Sequence, residues 1–171
     1  MNRFFWTVIK AVILVVIGLS SANASAFSQE QHSEHELGGI EVGFSVGYAY
    51  LKEEKEDGLN FHLHLTKRLS GEGFQKYLSI GLGAETIISK EKHYGVMVLL
   101  AVHPWHNLVL SVSPGMEWAK HDGEWNSEYA THLEATYIFE GLSFHYGPVV
   151  GYSKTRDEEH YTVGIHFGMP F

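Results

Sequence analysis

The residues of this chain that could do chemistry are histidines and carboxylates, and several of them lie two positions apart. The 171 residues include 12 His and 20 Asp or Glu, but no Cys. His62 and His64 are separated by one residue, as are His132 and Glu134. Imidazole and carboxylate groups bind Zn²⁺ and Cu²⁺, and imidazole also exchanges protons near neutral pH. The lack of Cys excludes a disulfide framework and a thiolate metal site.

A spacing of two residues is the repeat of a β-strand, in which successive side chains point to opposite faces. Residues 40–50 alternate a bulky apolar set with a small or polar set. The same alternation recurs in seven further segments: 59–69, 77–88, 93–103, 108–119, 128–139, 142–153 and 160–171. Each segment has about the length that a tilted strand needs to cross the hydrocarbon layer of a membrane.

Two kinds of connection alternate between these segments. The charged kind comprises residues 52–58, 89–92, 120–127 and 154–159, and the less charged kind comprises residues 70–76, 105–107 and 140–141. The pattern predicts an all-β fold, an eight-stranded antiparallel up-and-down barrel with both chain ends on one side. Pro114 and Pro148 cannot donate a hydrogen bond to a strand neighbour, so we expect a bulge at each.

The composition of the two faces indicates which one meets lipid. Gly, Ser, Thr, His and Glu form one face, almost without the Lys that a water-exposed exterior carries. A lumen of eight strands has room only for a packed filling or one small ligand, which disfavours a soluble barrel of the lipocalin kind with the bulky set inside. We therefore predict a transmembrane barrel with a polar lumen and an apolar outer wall.

Aromatic residues cluster at both ends of the segments, as in the girdles of membrane barrels. Beside the charged connections lie Tyr48, Tyr50, Phe61, Tyr94, Trp118, Tyr129, Tyr152 and Tyr161. Beside the short turns lie Phe74, Tyr77, Trp105, Tyr137, Phe139, Phe167 and Phe171. Aliphatic residues dominate between them, which favours the membrane interpretation.

The first residues have the composition of an export signal. Arg3 and Lys10 precede the apolar run 11–19, and small residues at 24–26 offer a cleavage site. An uncleaved membrane anchor is the alternative, but Lys10 leaves the apolar run short of the roughly 20 residues needed. We predict a cleaved secretory signal peptide at residues 1–26.

The polar residues 27–38 predict a flexible N-terminal arm before a barrel at 39–171. In this arm His32, Glu34, His35 and Glu36 could chelate a metal ion, although solvated arms of this kind are common. The excess of Asp and Glu over the 12 Lys and Arg argues against nucleic acid as a partner.

From residue 39 to Phe171 the chain resembles the small eight-stranded outer-membrane barrels of Gram-negative bacteria, the OmpA/OmpX kind. The ending YTVGIHFGMPF at 161–171 is similar to the terminal strand signal that the barrel-assembly machinery reads, although Pro170 is unusual there. The resemblance implies residence in the lipid bilayer of the cell outer membrane, periplasmic termini and charged loops outside the cell. It implies no single function, because such barrels include scaffolds, adhesins and lipid enzymes. We expect a monomer.

Chemistry in such a barrel is expected in the lumen, and three interpretations are open. Lumen His and Glu can form a plug of hydrogen bonds and ion pairs that holds the barrel rigid. They can also bind Zn²⁺ or Cu²⁺, or sense pH as the imidazoles gain protons. The metal-ligand candidates are His62, His64, His132, Glu134, Glu85 and Glu117.

Catalysis, conduction and adhesion are each disfavoured. A lipid A-modifying enzyme needs a Ser–His pair on the lipid side, but Ser143 with His145 and Ser153 with His160 fall on the lumen face. Side chains fill an eight-stranded lumen, so a pore is not expected. The loops are short for an adhesin, and Trp125 is their one obvious anchor. We expect a non-catalytic, structural or envelope-related protein.

Overall fold

The computed structural model describes residues 39–171 except Glu91, Asp122 and Leu142. The predicted signal peptide, the predicted arm and its possible metal ligands lie outside the described residues. Within them the strands are β1 (Ile40–Leu51), β2 (Glu56–Arg68), β3 (Leu78–Ile88), β4 (Lys92–Trp105), β5 (Leu108–His121), β6 (Glu124–Tyr137), β7 (Phe139–Glu140), β8 (His145–Lys154) and β9 (Glu159–Pro170). A 3₁₀ helix occupies Gly73–Tyr77. No helix in this part of the chain is both long and apolar enough to span a bilayer.

Consecutive strands pair antiparallel from β1 to β6 and from β7 to β9, and β1 also pairs with β9. The seam between β1 and β9 ends in two backbone hydrogen bonds, Phe171 N to Ile40 O at 2.7 Å and Ile40 N to Phe171 O at 3.2 Å. β6 pairs with β8, and the two-residue β7 continues alongside β8 in the register of β6. The structure is thus a closed antiparallel barrel of eight long strands, as predicted.

The two prolines interrupt the ladder without the predicted bulges. Pro114 pairs with Thr131 in an unbroken β5–β6 register. Pro148 lies where the β8 ladder passes from β6 to β7, and the register is the same on both sides. The register shift that the described strands do show lies between Val102 and Trp105, opposite the start of β5. A missing N–H removes one hydrogen bond but adds no residue, so the register survives.

Two hairpins extend further than the charge pattern predicts. β2 begins at Glu56, so the first turn is shorter than residues 52–58. β5 and β6 together take up most of the predicted connection 120–127, and Gly123 in the remaining turn has φ +89°. This left-handed backbone favours glycine. Trp125 therefore lies in a strand, where its ring is 5.6 Å from that of Tyr94.

The two faces of the wall differ as the alternation predicts. Aliphatic side chains in mid-strand face outward, such as Leu63, Leu82 and Val96, with exposed fractions of 56%, 64% and 51%. Buried side chains point into the lumen, where Ala49, Leu51 and Ile87 form an apolar cluster near one end. Most predicted girdle aromatics lie on the outside, but Tyr50 is only 9% exposed.

The barrel has a terminal end and a charged-loop end. The terminal end carries residue 39, Phe171 and the turns before β3, β5 and β8. The charged-loop end carries the turns before β2, β4, β6 and β9.

Candidate functional site

Imidazole rings fill much of the lumen. Six histidines are buried on its wall: His62, His64, His93, His145, His160 and His166. Lumen-facing glycines leave the space for them. A Cβ atom at Gly43 would lie 2.8 Å from His166 Cε1, and one at Gly83 would lie 2.8 Å from His62 Nε2. Both distances are below van der Waals contact. The imidazole rings therefore fit only because glycine has no Cβ at these positions.

Donor atoms of His and Glu converge at three heights along the described barrel, within 4.8 Å of one another in each set. We name these sets the terminal, central and charged-loop clusters. The terminal cluster is Glu41, His145 and His166; the central cluster is Glu85, His132 and His160; the charged-loop cluster is Glu54, His93 and Glu158.

The terminal cluster joins three adjacent strands, β1, β9 and β8, across the β1–β9 seam, and His64 of β2 lies beside it. His145 Nε2 lies 3.2 Å from His166 Nε2 and 3.5 Å from Glu41 Oε1. His64 Nε2, on β2, lies 3.8 Å from the same Glu41 oxygen, and its ring stacks on that of His166 at 5.1 Å between centroids. Ser45 Oγ is 3.3 Å from His166 Nδ1. The second ring nitrogen of His166 therefore has a partner of its own.

The central cluster is an extended hydrogen-bonded group. His132 Nδ1 lies 3.1 Å from Glu85 Oε2, and His132 Nε2 lies 3.4 Å from Ser153 Oγ. Asn60 donates to the other Glu85 oxygen. His160 Nε2 is 3.8 Å from Glu85 Oε1, beyond hydrogen-bonding distance. One carboxylate thus accepts from an amide and an imidazole and stabilises both.

The Ser153–His132–Glu85 order matches that of a hydrolase triad, but its surroundings do not suit hydrolysis. Ser153 is 2% exposed, and the cavity beside it measures about 20 Å³. That volume has room for about one water molecule. Among the Ser–His pairs considered from the sequence, Ser143 lies exposed in a turn whereas His145 is buried. The arrangement therefore suits a structural network.

The charged-loop cluster places carboxylates around His93, which is 1% exposed. Its Nδ1 lies 3.5 Å from Glu117 and 3.6 Å from Glu158, and its Nε2 lies 3.7 Å from Glu54. Beside it a cavity of about 380 Å³ is lined by acidic side chains that include Glu128. This end of the lumen therefore attracts cations.

Surface ion pairs fix the turns at the same end. Lys52 Nζ lies 2.6 Å from Glu159, whose carboxylate raises the pKa of the Lys52 ammonium. Lys90 lies 2.6 Å from Glu56, and this carboxylate likewise raises the pKa of Lys90. Both lysines are exposed, so these pairs are screened by solvent.

The six ligand candidates drawn from the sequence are distributed over different heights. His132 and Glu85 do meet, whereas Glu117 lies beside His93. His62 and His64 contact different carboxylates: His62 Nδ1 lies 3.4 Å from Glu134, whereas His64 pairs with Glu41. Five strand residues belong to these clusters but were not assigned ligand roles from the sequence: Glu41, His93, His145, His160 and His166. All five share the lumen parity, which was the available signal.

Comparisons with known proteins bear on the fold. Neither a protein-family model nor a curated protein sequence matches this chain. The crystal structure of Ail, the attachment invasion locus protein of Yersinia pestis, is similar with a TM-score of 0.56 and 15% identity, over 78% of this chain and 99% of Ail. Neisserial surface protein A has a TM-score of 0.56 and 8% identity, over 78% of this chain and 97% of its own. A designed transmembrane β-barrel has a TM-score of 0.51 and 15% identity, over 82% of this chain and all of its own. The chain has the fold of the small eight-stranded membrane β-barrels.

Proposed function

We propose that this chain is an integral outer-membrane protein with a non-catalytic, structural role in the envelope of a Gram-negative bacterium. The observation that carries the proposal is the reversed distribution of its side chains. Leu, Val and Ile are exposed around the barrel, while His, Glu and Ser are buried inside it. Monomeric soluble proteins rarely expose such a continuous apolar surface, whereas a bilayer requires one.

The fold is consistent with residence in a membrane. A closed barrel satisfies every backbone group within the wall and leaves no strand edge for another chain to join. Ail and Neisserial surface protein A share this architecture. From this we infer a monomer in the outer membrane, exported through the predicted signal peptide. Phe171 is 77% exposed at the end of β9, where the barrel-assembly machinery is proposed to read it.

The lumen supports a structural role over conduction or catalysis. The two cavities beside the terminal and central clusters measure about 40 Å³ and 20 Å³, enough for a few water molecules. The rest of the interior is occupied by paired carboxylates and imidazoles, and such a network links neighbouring strands. We infer that the filling makes the barrel a rigid body in the membrane.

Expression of the full chain in a Gram-negative host tests this proposal. We expect the protein in the outer-membrane fraction and a faster-migrating band on gels when the sample is not boiled, because a folded barrel resists detergent. We also expect a β-rich circular dichroism spectrum in micelles. A water-soluble monomer, or a band that does not shift on boiling, would contradict the proposal.

A further inference from the structure

We propose that Glu41, His145 and His166 form a binding site for Zn²⁺ in the barrel lumen, with His64 beside them. The inference rests on the proposed function only in that the barrel must fold as described. It assigns a ligand set that same-strand spacing did not predict, because the three donors come from β1, β8 and β9.

The donor separations fit a tetrahedral ion. Zn²⁺ holds nitrogen and oxygen ligands at about 2.0 to 2.2 Å, so neighbouring ligand atoms around it are about 3.3 to 3.6 Å apart. His145 Nε2 lies 3.2 Å from His166 Nε2 and 3.5 Å from Glu41 Oε1. The third separation, between Glu41 and His166, is within 4.8 Å. A relative shift of at most about 1.2 Å brings these two atoms to about 3.6 Å and completes the triangle.

The surroundings of His166 resemble the support that metal-binding imidazoles receive. Its Nδ1 contacts Ser45 Oγ at 3.3 Å, whereas its Nε2 faces His145 Nε2 at 3.2 Å, so a bound ion would replace the contact between the two rings. A hydrogen bond of this kind fixes the ring orientation and the tautomer of a ligand. His64 is 7% exposed, and its buried Nδ1 has no hydrogen-bond partner among the described residues.

Two glycines hold open the space in which the rings converge. Gly43 on β1 and Gly168 on β9 are directly paired across the seam. A Cβ atom at Gly43 would overlap the ring of His64, and one at Gly168 would overlap the ring of His145, reaching its Cδ2 atom at 2.9 Å. The paired glycines thus form a recess that admits three imidazoles to one point.

The donor chemistry selects among ions. Imidazole nitrogens with one carboxylate suit Zn²⁺ and related transition metals, whereas Ca²⁺ and Mg²⁺ require mostly oxygen ligands. The single carboxylate also attracts a cation to the site. The central cluster offers a similar donor set, but Asn60, which is not one of its donors, already donates to the Glu85 oxygen that faces His160. This makes the terminal cluster the stronger candidate.

The test is a titration of the full, folded protein in detergent, stripped of metal with a chelator. Co²⁺ serves as the probe because its visible spectrum reports tetrahedral nitrogen ligation, and Zn²⁺ then displaces it. Glu41→Gln keeps the size of the side chain but removes the charge, and we expect it to weaken binding at least tenfold. Ser45→Ala removes the support of His166, for which we expect a loss of about 10- to 100-fold.

Matched variants exclude other sites. Glu85→Gln makes the same change in the central cluster, and His106→Asn removes an exposed histidine. A double variant, His32→Asn with His35→Asn, removes the ligands of the predicted arm. We expect all three to bind as the wild type does. Binding lost in any of these but kept in Glu41→Gln would overturn the assignment.

The band shift on boiling is measured for every variant, so that failure to fold is separated from failure to bind. A folded wild-type barrel that does not bind Co²⁺ or Zn²⁺ at millimolar concentration overturns the metal site and leaves the proposed function intact. A protein that forms no barrel contradicts both.

Discussion

Replacing Leu82 by Arg separates a membrane barrel from a water-soluble one. Leu82 lies near the middle of β3, on the outer face, with 64% of its surface exposed. In water such a substitution costs at most about 0.5 kcal/mol, because an exposed side chain loses little packing. At the midplane of a bilayer an arginine on the lipid face of a barrel costs about 2 to 4 kcal/mol.

Ile88→Arg is the matched control on the same strand and the same face. Ile88 is 53% exposed and ends β3 at the charged-loop end. Six residues at about 3.3 Å each, on a strand tilted by about 40°, place it roughly 15 Å from Leu82 along the membrane normal. The apolar band is about 25 Å tall, so Ile88 lies at its edge, where arginine costs about 0 to 1 kcal/mol.

The assay is equilibrium unfolding by guanidinium in lipid vesicles, followed by Trp fluorescence. We expect Leu82→Arg to lower the free energy of unfolding by at least about 1 kcal/mol more than Ile88→Arg does. Equal losses, or no loss in either variant, would refute the claim that this face contacts acyl chains.

Three further outcomes follow from the lumen and the turns. Gly168→Ala is expected to destabilise the barrel by about 1 to 3 kcal/mol because its Cβ overlaps His145. The control Gly95→Ala should be nearly neutral, since its Cβ would first meet an atom at 3.5 Å. Equal effects of the two substitutions in chemical unfolding would contradict this. Lys52→Met is expected to unfold at a lower concentration of urea, which adds no salt to screen this exposed ion pair, than the wild type at pH 8. The raised pKa of Lys52 beside Glu159 means that this stabilisation is present below the ordinary lysine pKa and is lost as pH rises through the folded value, so the two midpoints should converge at a pH above the ordinary lysine pKa. Vesicles that contain the protein should admit sugars no faster than empty vesicles, because the cavities beside the terminal and central clusters hold about 40 Å³ and 20 Å³; swelling above the empty control would show a pore.

The period of two was sufficient to predict the wall of the barrel from sequence. It placed Leu82 outside and His166 inside because a strand has only two faces. It was less reliable at the turns, since residues 120–127 are nearly all polar or Gly and show no alternation, yet the structure continues both strands through most of them. Proline was overinterpreted for a physical reason: a missing donor breaks one hydrogen bond, whereas a bulge requires an additional residue.

The partners of each lumen histidine were beyond single-sequence reasoning. His62 and His64 are close in sequence, but ligands converge across neighbouring strands, so the register decides which groups meet. Glu41 reaches His145 only because β1 closes on β9, which in turn pairs with β8. Such contacts link residues more than a hundred positions apart and leave no local pattern.

The terminal cluster forms only when the barrel closes at the β1–β9 seam, so ion binding there is coupled to the stability of the barrel. Closure of the barrel is the step that brings Glu41 and Ser45 of β1 against His166 of β9. In an open sheet β1 and β9 would each have an unpaired edge, and the Glu41 carboxylate would keep His64 of β2 but lack His145 and His166. An ion bound to Glu41, His145 and His166 therefore binds the closed state alone and stabilises it in proportion to the logarithm of its concentration. By this argument Zn²⁺ should raise the guanidinium midpoint of the wild type by more than it raises that of Glu41→Gln.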